Sequence, residues 1–146
     1  LHDEKGQLAD REEAEKLILR LDRKIRRLEK YPGSLEVRFM ENAKAAIVSY
    51  GTSARASLRA VVQGRAKGLE VGWVRLKQLS PFPEEVLLEI LQDIRKVVVP
   101  EMNLGQIGNE VQKVIGKDKV TIVPKVGGFI HKPEEILNPA LEAFKQ

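Results

Sequence analysis

The chain has 146 residues, of which 42% are apolar and 32% charged, and a net charge of +4. That length suits one domain with a real core, and no run reaches the roughly 20 apolar residues of a membrane span. Cysteine is absent, which excludes disulfides, cysteine-ligated zinc, protein-ligated iron–sulfur clusters and thiol nucleophiles within these residues.

The first residue is Leu1 rather than Met, and Leu1–Gln7 has no signal-peptide pattern. The sequence is therefore expected to be cut from a longer polypeptide, and a reducing cytoplasm is the expected compartment. Residues 8–30 form the first predicted helix: Leu17, Leu21, Ile25 and Leu28 mark one apolar stripe. Asp10, Glu12 and Glu13 near its start and Arg23–Lys30 near its end suit the helix dipole, and Tyr31-Pro32-Gly33 stops it. The stripe is narrow, so the helix is expected to lie over the domain or against a partner. Basic helices can bind nucleic acid, but a solvated face or subunit contact is the ordinary reading. With only 5% aromatic residues there are few stacking platforms, and no nucleic acid or membrane partner is expected.

Residues 34–42 read as either a linker or a short edge strand, because Leu35, Val37 and Phe39 alternate with Glu36 and Arg38. The division expected is 1–42 as a linker with the N-terminal helix and 43–146 as the α/β domain. From Ala43 the pattern is regular. Ala45–Tyr50 is a buried strand, and Thr52–Lys67 a helix opened by hydroxyl residues able to cap it. Glu70–Arg75 is a strand, Glu84–Asp93 a helix, and Lys96–Val99 a strand stopped by Pro100. Leu104–Ile115 is a helix, Lys119–Val123 a strand, and Pro133–Phe144 a helix that Pro139 should bend or interrupt. Strands alternating with helices predict an α/β fold: an open, mainly parallel sheet with helices on both faces. Counting from Ala45–Tyr50, the simplest strand order is 2-1-3-4.

Open parallel sheets bind ligands at the carboxyl ends of their strands, where strand order reverses. Two loops meet there in this order: Tyr50, Gly51, Thr52 and Ser53, with Arg55 just beyond, and Glu101, Asn103, Gly105 and Gln106. The first can hold a phosphate or carboxylate at a helix N-terminus, or be a plain helix cap. It has neither Walker-loop nor dinucleotide-fingerprint spacing. The second can orient a ligand, or close on its own backbone. No residue stands out as catalytic. His2 and His131 lie near opposite ends, and Glu84-Glu85 and Glu134-Glu135 open helices, where acids are favourable for structural reasons.

Five stretches then occur in one order: His2-Asp3-Glu4-Lys5-Gly6; Arg23-Lys24-Ile25-Arg26-Arg27-Leu28-Glu29; Val48-Ser49-Tyr50-Gly51-Thr52-Ser53-Ala54-Arg55; Arg75 to Pro83; and Val97-Val98-Val99-Pro100-Glu101-Met102-Asn103-Leu104-Gly105-Gln106. Together they resemble the C-terminal part of the alpha subunit of 2-oxoacid:ferredoxin oxidoreductases, most like the 2-oxoglutarate type. The resemblance implies a fold similar to the transketolase C-terminal domain. It also implies membership of an enzyme that decarboxylates a 2-oxoacid on thiamine diphosphate, passes electrons through iron–sulfur clusters to ferredoxin, and gives the acyl group to coenzyme A. Thiamine diphosphate, magnesium and the clusters are then expected outside this domain, in the preceding domain and in a beta or further subunit. This domain's share would be assembly and the framing of substrate or coenzyme A. A stand-alone α/β module that binds a small anion or nucleotide is the alternative reading.

Overall fold

The computed structural model describes residues 11–29 and 31–145. The expectations placed on Leu1, His2–Gly6, Asp10 and Lys30 lie outside them. A helix α1 (Arg11–Glu29) leads into β1 (Leu35–Arg38). Strands β2 (Ala45–Tyr50), β3 (Val71–Leu76), β4 (Lys96–Glu101) and β5 (Val120–Pro124) then alternate with helices α2 (Ser53–Ala66), α3 (Glu84–Leu91), α4 (Gln106–Ile115) and α5 (Pro133–Ala140). The sheet order is β1-β3-β2-β4-β5. Four strands are parallel in the 2-1-3-4 order expected of them, and β1 runs antiparallel to β3 at the edge. Of the two readings of residues 34–42, the edge strand is the one that forms.

Alternation along each strand sends side chains to two separate cores. Ala45, Ile47, Val71, Trp73 and Val98 face α2 and α5 with Ala60, Val61, Ile136 and Leu137. Ala46, Val48, Val74, Val97 and Val99 face α3 and α4 with Leu87, Leu91 and Val111. Covering on both faces explains why β2 is apolar at consecutive positions. By contrast, Leu21, Ile25 and Leu28 on the stripe of α1 stay close to half exposed. A hydrogen bond from Gln78 Nε2 to the Leu28 carbonyl, at 2.9 Å, ties the end of α1 to the loop after β3.

Two local expectations change and a third holds. Strand β4 does not stop at Pro100 but runs to Glu101. β2 and β4 are in register only as far as Ile47 and Val98, so by Pro100 the ladder toward β2 has opened, and only β5 lies opposite. A proline is tolerated at such an opening. Thr52 does not cap α2 through its hydroxyl. Its φ of −66° and ψ of −35° are already helical, whereas a capping side chain needs extended backbone. Pro139 has the expected effect: α5 ends at Ala140 and the chain goes on as a tighter 3-10 turn, Leu141–Phe144.

Ile47 is fully buried and Val37, on the edge strand, is 46% exposed. We expect Ile47→Ala to lower unfolding free energy by about 2–5 kcal/mol and Val37→Ala by less than about 1.5 kcal/mol. Urea denaturation of the two variants checks this; equal losses would contradict the assignment of Ile47 to the core.

Candidate functional site

The opening between β2 and β4 puts Tyr50 and Glu101 at the ends of strands that no longer bond through their backbones. Side chains bridge them instead. The Tyr50 hydroxyl donates to Glu101 Oε2 at 3.1 Å, and Asn103 Nδ2 donates to the Tyr50 oxygen at 2.7 Å. Glu101 Oε2 also accepts from the Ile107 N–H at 3.0 Å, and Oε1 from the Gly108 N–H at 2.5 Å. Asn103 Oδ1 accepts from the N–H groups of Gly105 and Gln106, at 2.8 and 3.1 Å.

Glu101 is fully buried. Burying a carboxylate is unfavourable by several kcal/mol unless its oxygens are bonded. Here the donors are neutral, and two are N–H groups at the positive end of α4, where a negative charge is favoured. The close approach needs glycine at 108: a Cβ there would lie 2.6 Å from Ile122 Cγ1 and 2.9 Å from Glu101 Oε1. Gly105, with φ of +103°, takes the left-handed turn into the helix. Burial, and then the Glu101 charge, raises the Tyr50 pKa above the ordinary phenol range, while the Asn103 bond acts the other way. The N–H groups of residues 105 to 108 are thus all taken by Asn103 and Glu101. This loop closes on its own backbone.

The end of α2 is built differently. Gly51 turns with φ of +51°, and the first turn of α2 contains no acid. Gly51, Thr52, Ala54, Arg55 and Leu58 form one wall of a groove of about 520 Å³. Its floor is Trp73 and Arg75 of β3 with Glu36 and Arg38 of β1. Opposed residues of antiparallel strands share a face. The pairs Glu36 with Arg75 and Arg38 with Trp73 therefore extend the α2 side of the sheet to its edge. Arg38 bonds Glu36 at 2.8 Å and stacks 5.7 Å from the Trp73 ring centre. The Arg38 hydrogen bond, helped by the charges of Lys77 and Arg75, holds the Glu36 carboxyl below its usual range.

The structure thus places the residues singled out from the sequence in two groups. Tyr50, Asn103, Gly105 and Gln106 belong to the network between β2 and α4, Gln106 through its backbone. Gly51, Thr52 and Arg55 line the groove, and Ser53, the first residue of α2, is buried. The two loops join through the Asn103–Tyr50 bond; Asn103, Gly105 and Gln106 are not among the groove's lining residues. Sequence reading passed over Glu36, Arg38, Trp73 and Arg75. The signal available for them was the alternation at residues 35–39, had it been read as a strand beside the second predicted one. Elsewhere, His131 is buried and its Nε2 lies 2.9 Å from the Val123 carbonyl. Glu135 accepts from the Lys132 N–H and Lys125 Nζ, both at 2.6 Å, as a helix-opening acid does. No three His, Asp or Glu side chains come together for a metal among the described residues.

Residues 43–136 match the family model described as pyruvate:ferredoxin oxidoreductase core domain II. The chain is similar to the KorA subunit of 2-oxoglutarate synthase from Methanothermobacter marburgensis, with 38% identity over 140 residues, covering 94% of this chain and 37% of that subunit. It is also similar to the KorA subunit from Methanocaldococcus jannaschii, with 42% identity, covering 92% and 37%. The VorB subunit of ketoisovalerate oxidoreductase from Methanothermobacter thermautotrophicus is 29% identical, with coverage of 91% and 38%. Among solved structures, the 2-oxoglutarate:ferredoxin oxidoreductase of Magnetococcus marinus, with 2-oxoglutarate, coenzyme A and succinyl-CoA bound, superposes with a TM-score of 0.79 at 26% identity. That match covers 99% of this chain and 26% of the other. The chain spans little more than a third of the curated relatives it matches.

Two outcomes follow from the buried carboxylate. Glu101→Ala should lower unfolding free energy by about 2–4 kcal/mol, because Ile107 and Gly108 lose their acceptor, and Glu101→Gln should lose less. In a Tyr31→Phe background Tyr50 is the one remaining tyrosine. Its ultraviolet titration should then lie above the ordinary phenol range and move down in Glu101→Gln. A Tyr50 titration indifferent to Glu101→Gln would show that the carboxylate charge does not reach the phenol.

Proposed function

The chain belongs to the pyruvate:ferredoxin oxidoreductase core domain II family, and on that footing we propose that it is the C-terminal domain of the alpha subunit of a thiamine-diphosphate-dependent 2-oxoacid:ferredoxin oxidoreductase. The complete enzyme would cleave a 2-oxoacid oxidatively to carbon dioxide and an acyl group, pass the electrons to ferredoxin and transfer the acyl group to coenzyme A. The observation that carries this reading is the identity to KorA subunits across more than nine-tenths of the chain, on only 37% of their length. Identity to the KorA subunits exceeds that to the VorB subunit, which supports 2-oxoglutarate over a branched-chain oxoacid.

Within that enzyme, residues 43–146 would be the packed α/β unit and residues 1–42 the connection to the preceding domain. The described residues do not fit thiamine diphosphate with its magnesium, because no three His, Asp or Glu side chains gather among them, and without cysteine the chain offers no thiolate to an iron–sulfur cluster. Those cofactors would sit in the preceding domain, the beta subunit and further subunits. The half-exposed stripe Leu21, Ile25 and Leu28 on α1 supports a contact with one of them. The domain's part would be assembly, and framing of the 2-oxoacid or coenzyme A by Tyr50–Arg55 and Asn103–Gln106. No helix among the described residues is long and apolar enough to cross a membrane; the enzyme would work in the cytoplasm.

This chain alone, given thiamine diphosphate, magnesium, 2-oxoglutarate, coenzyme A and oxidised ferredoxin, should reduce no ferredoxin. Joined to the remainder of its subunit and assembled with the beta subunit, it should support turnover. Asn103→Ala in that assembly should lower acyl transfer or the yield of complex. Ferredoxin reduction by the chain alone would overturn the division of labour. Unchanged turnover, coenzyme A affinity and complex mass in Asn103→Ala would remove the second loop from function.

A further inference from the structure

The groove beside α2 carries more positive charge than the chain neutralises. Arg38, Arg55 and Arg75 line it with a single carboxylate, Glu36. Glu36 bonds Arg38 at 2.8 and 3.2 Å and lies 3.8 Å from Arg75, so one carboxylate is shared between two guanidinium groups. Arg55 stands in the first turn of α2, where no acid is present. A cation at the positive end of a helix is unfavourable by itself. At α4 the equivalent end is filled by Glu101; at α2 the first turn holds no acid and no side chain caps it, and the Ala54 and Arg55 N–H groups only bond back to the Gly51 and Thr52 carbonyls at 3.3 Å.

A second observation concerns Trp73. Its side chain lines the same groove and is 2% exposed, yet its indole N–H has no hydrogen-bond partner among the described residues. A buried donor without an acceptor is destabilising. Two guanidinium groups sharing one carboxylate, the Arg55 guanidinium beside them, a helix start without an acid and the Thr52 hydroxyl together suit oxygen acceptors bearing negative charge. Guanidinium forks match phosphate oxygens in pairs. The volume of about 520 Å³ lies in the range of small-molecule pockets. Ala54, Leu58 and the Trp73 ring give it apolar surface for more than a bare ion.

We infer that this groove binds the phosphate or diphosphate group of an organic ligand, held by Arg38, Arg55 and Arg75 at the start of α2. The inference gives a chemical class to the framing role of Gly51–Arg55 proposed above. It rests on that reading only for which ligand is bound in the enzyme. Binding by the chain and turnover by the assembly are separate measurements, so the failure of one is distinguishable from the failure of the other.

Trp73 is the only tryptophan, so its emission reports on the groove. The test is a fluorescence titration of the full chain with sodium pyrophosphate, coenzyme A and ATP at constant ionic strength, with sodium sulfate as the control. Pyrophosphate and at least one of the organic phosphates should give a saturable change that sulfate does not. Arg55→Gln and Arg75→Gln should each weaken it about tenfold or more, as the loss of a charge-assisted hydrogen bond does. Lys113→Gln, on α4 and paired there with Glu110, should leave it unchanged. Urea midpoints establish that the variants are folded; if Arg75→Gln is not, Arg55→Gln, at an exposed position, carries the test. Coenzyme A binding more tightly than ATP supports the inference with a pantetheine contact, and equal affinities support it with the phosphates alone as the determinant. The inference is overturned by no saturable change with any phosphate compound, by an equal response to sulfate, or by variants that bind like the parent. Arginine variants that lose only their association with a companion subunit would assign the groove to a protein carboxylate and also overturn it.

Discussion

A fully buried carboxylate organises the end of the sheet at which both candidate loops lie. Glu101 has left water entirely, and its oxygens are bonded by two backbone N–H groups of α4 and the Tyr50 hydroxyl. Such a charge is stable only when its acceptors are filled by donors already in place. That requirement reaches outward. It fixes where α4 starts relative to β4 and demands a glycine at 108. It also holds Tyr50 across the gap that opens when β2 and β4 part beyond Ile47 and Val98. Asn103 then accepts from the N–H groups of Gly105, just before α4, and of Gln106, its first residue.

The same constraint makes the two helix starts at this edge unequal. Both follow a strand through a short loop containing a glycine with positive φ. In α4 the positive end is occupied from within, by Glu101 and Asn103. In α2 no acid stands in the first turn, Thr52 does not cap, and Arg55 adds charge of the same sign. The helix dipole favours an anion at each of these two helix starts alike. What separates the two is whether the strand before the helix supplies a carboxylate: β4 ends in Glu101 and β2 in Tyr50.

This asymmetry suits a domain that is one part of a longer subunit. Its two cores are closed, and its helices cover both sheet faces. What it leaves open is the basic groove at the β1 edge, the half-exposed stripe of α1, and a cluster of exposed apolar residues after β5, Val126, Phe129 and Ile130. None of these is a reacting group. They are surfaces for recognition, in keeping with a domain that spans little more than a third of the subunits it resembles.

The sequence by itself determined the α/β class, the parallel strands in 2-1-3-4 order, the helices between them and the family. These features are local: an apolar period of two or of 3.6 residues, a breaking Gly or Pro, and motifs read in order. Pro139 at the end of α5 was legible for the same reason. The tertiary structure alone decided the rest. Whether residues 34–42 pair or wander depends on β3 offering an edge, which no pattern within Leu35–Phe39 encodes. Arg38 and Trp73 become neighbours only through the antiparallel register of β1 on β3. Asn103 could serve a ligand or its own loop until the placement of α4 put the Gly105 and Gln106 N–H groups within its reach. Period predicts which face a residue takes along its own strand, whereas register and helix placement are set by packing between distant segments. The groove beside α2 and the carboxylate within α4 both depend on that packing.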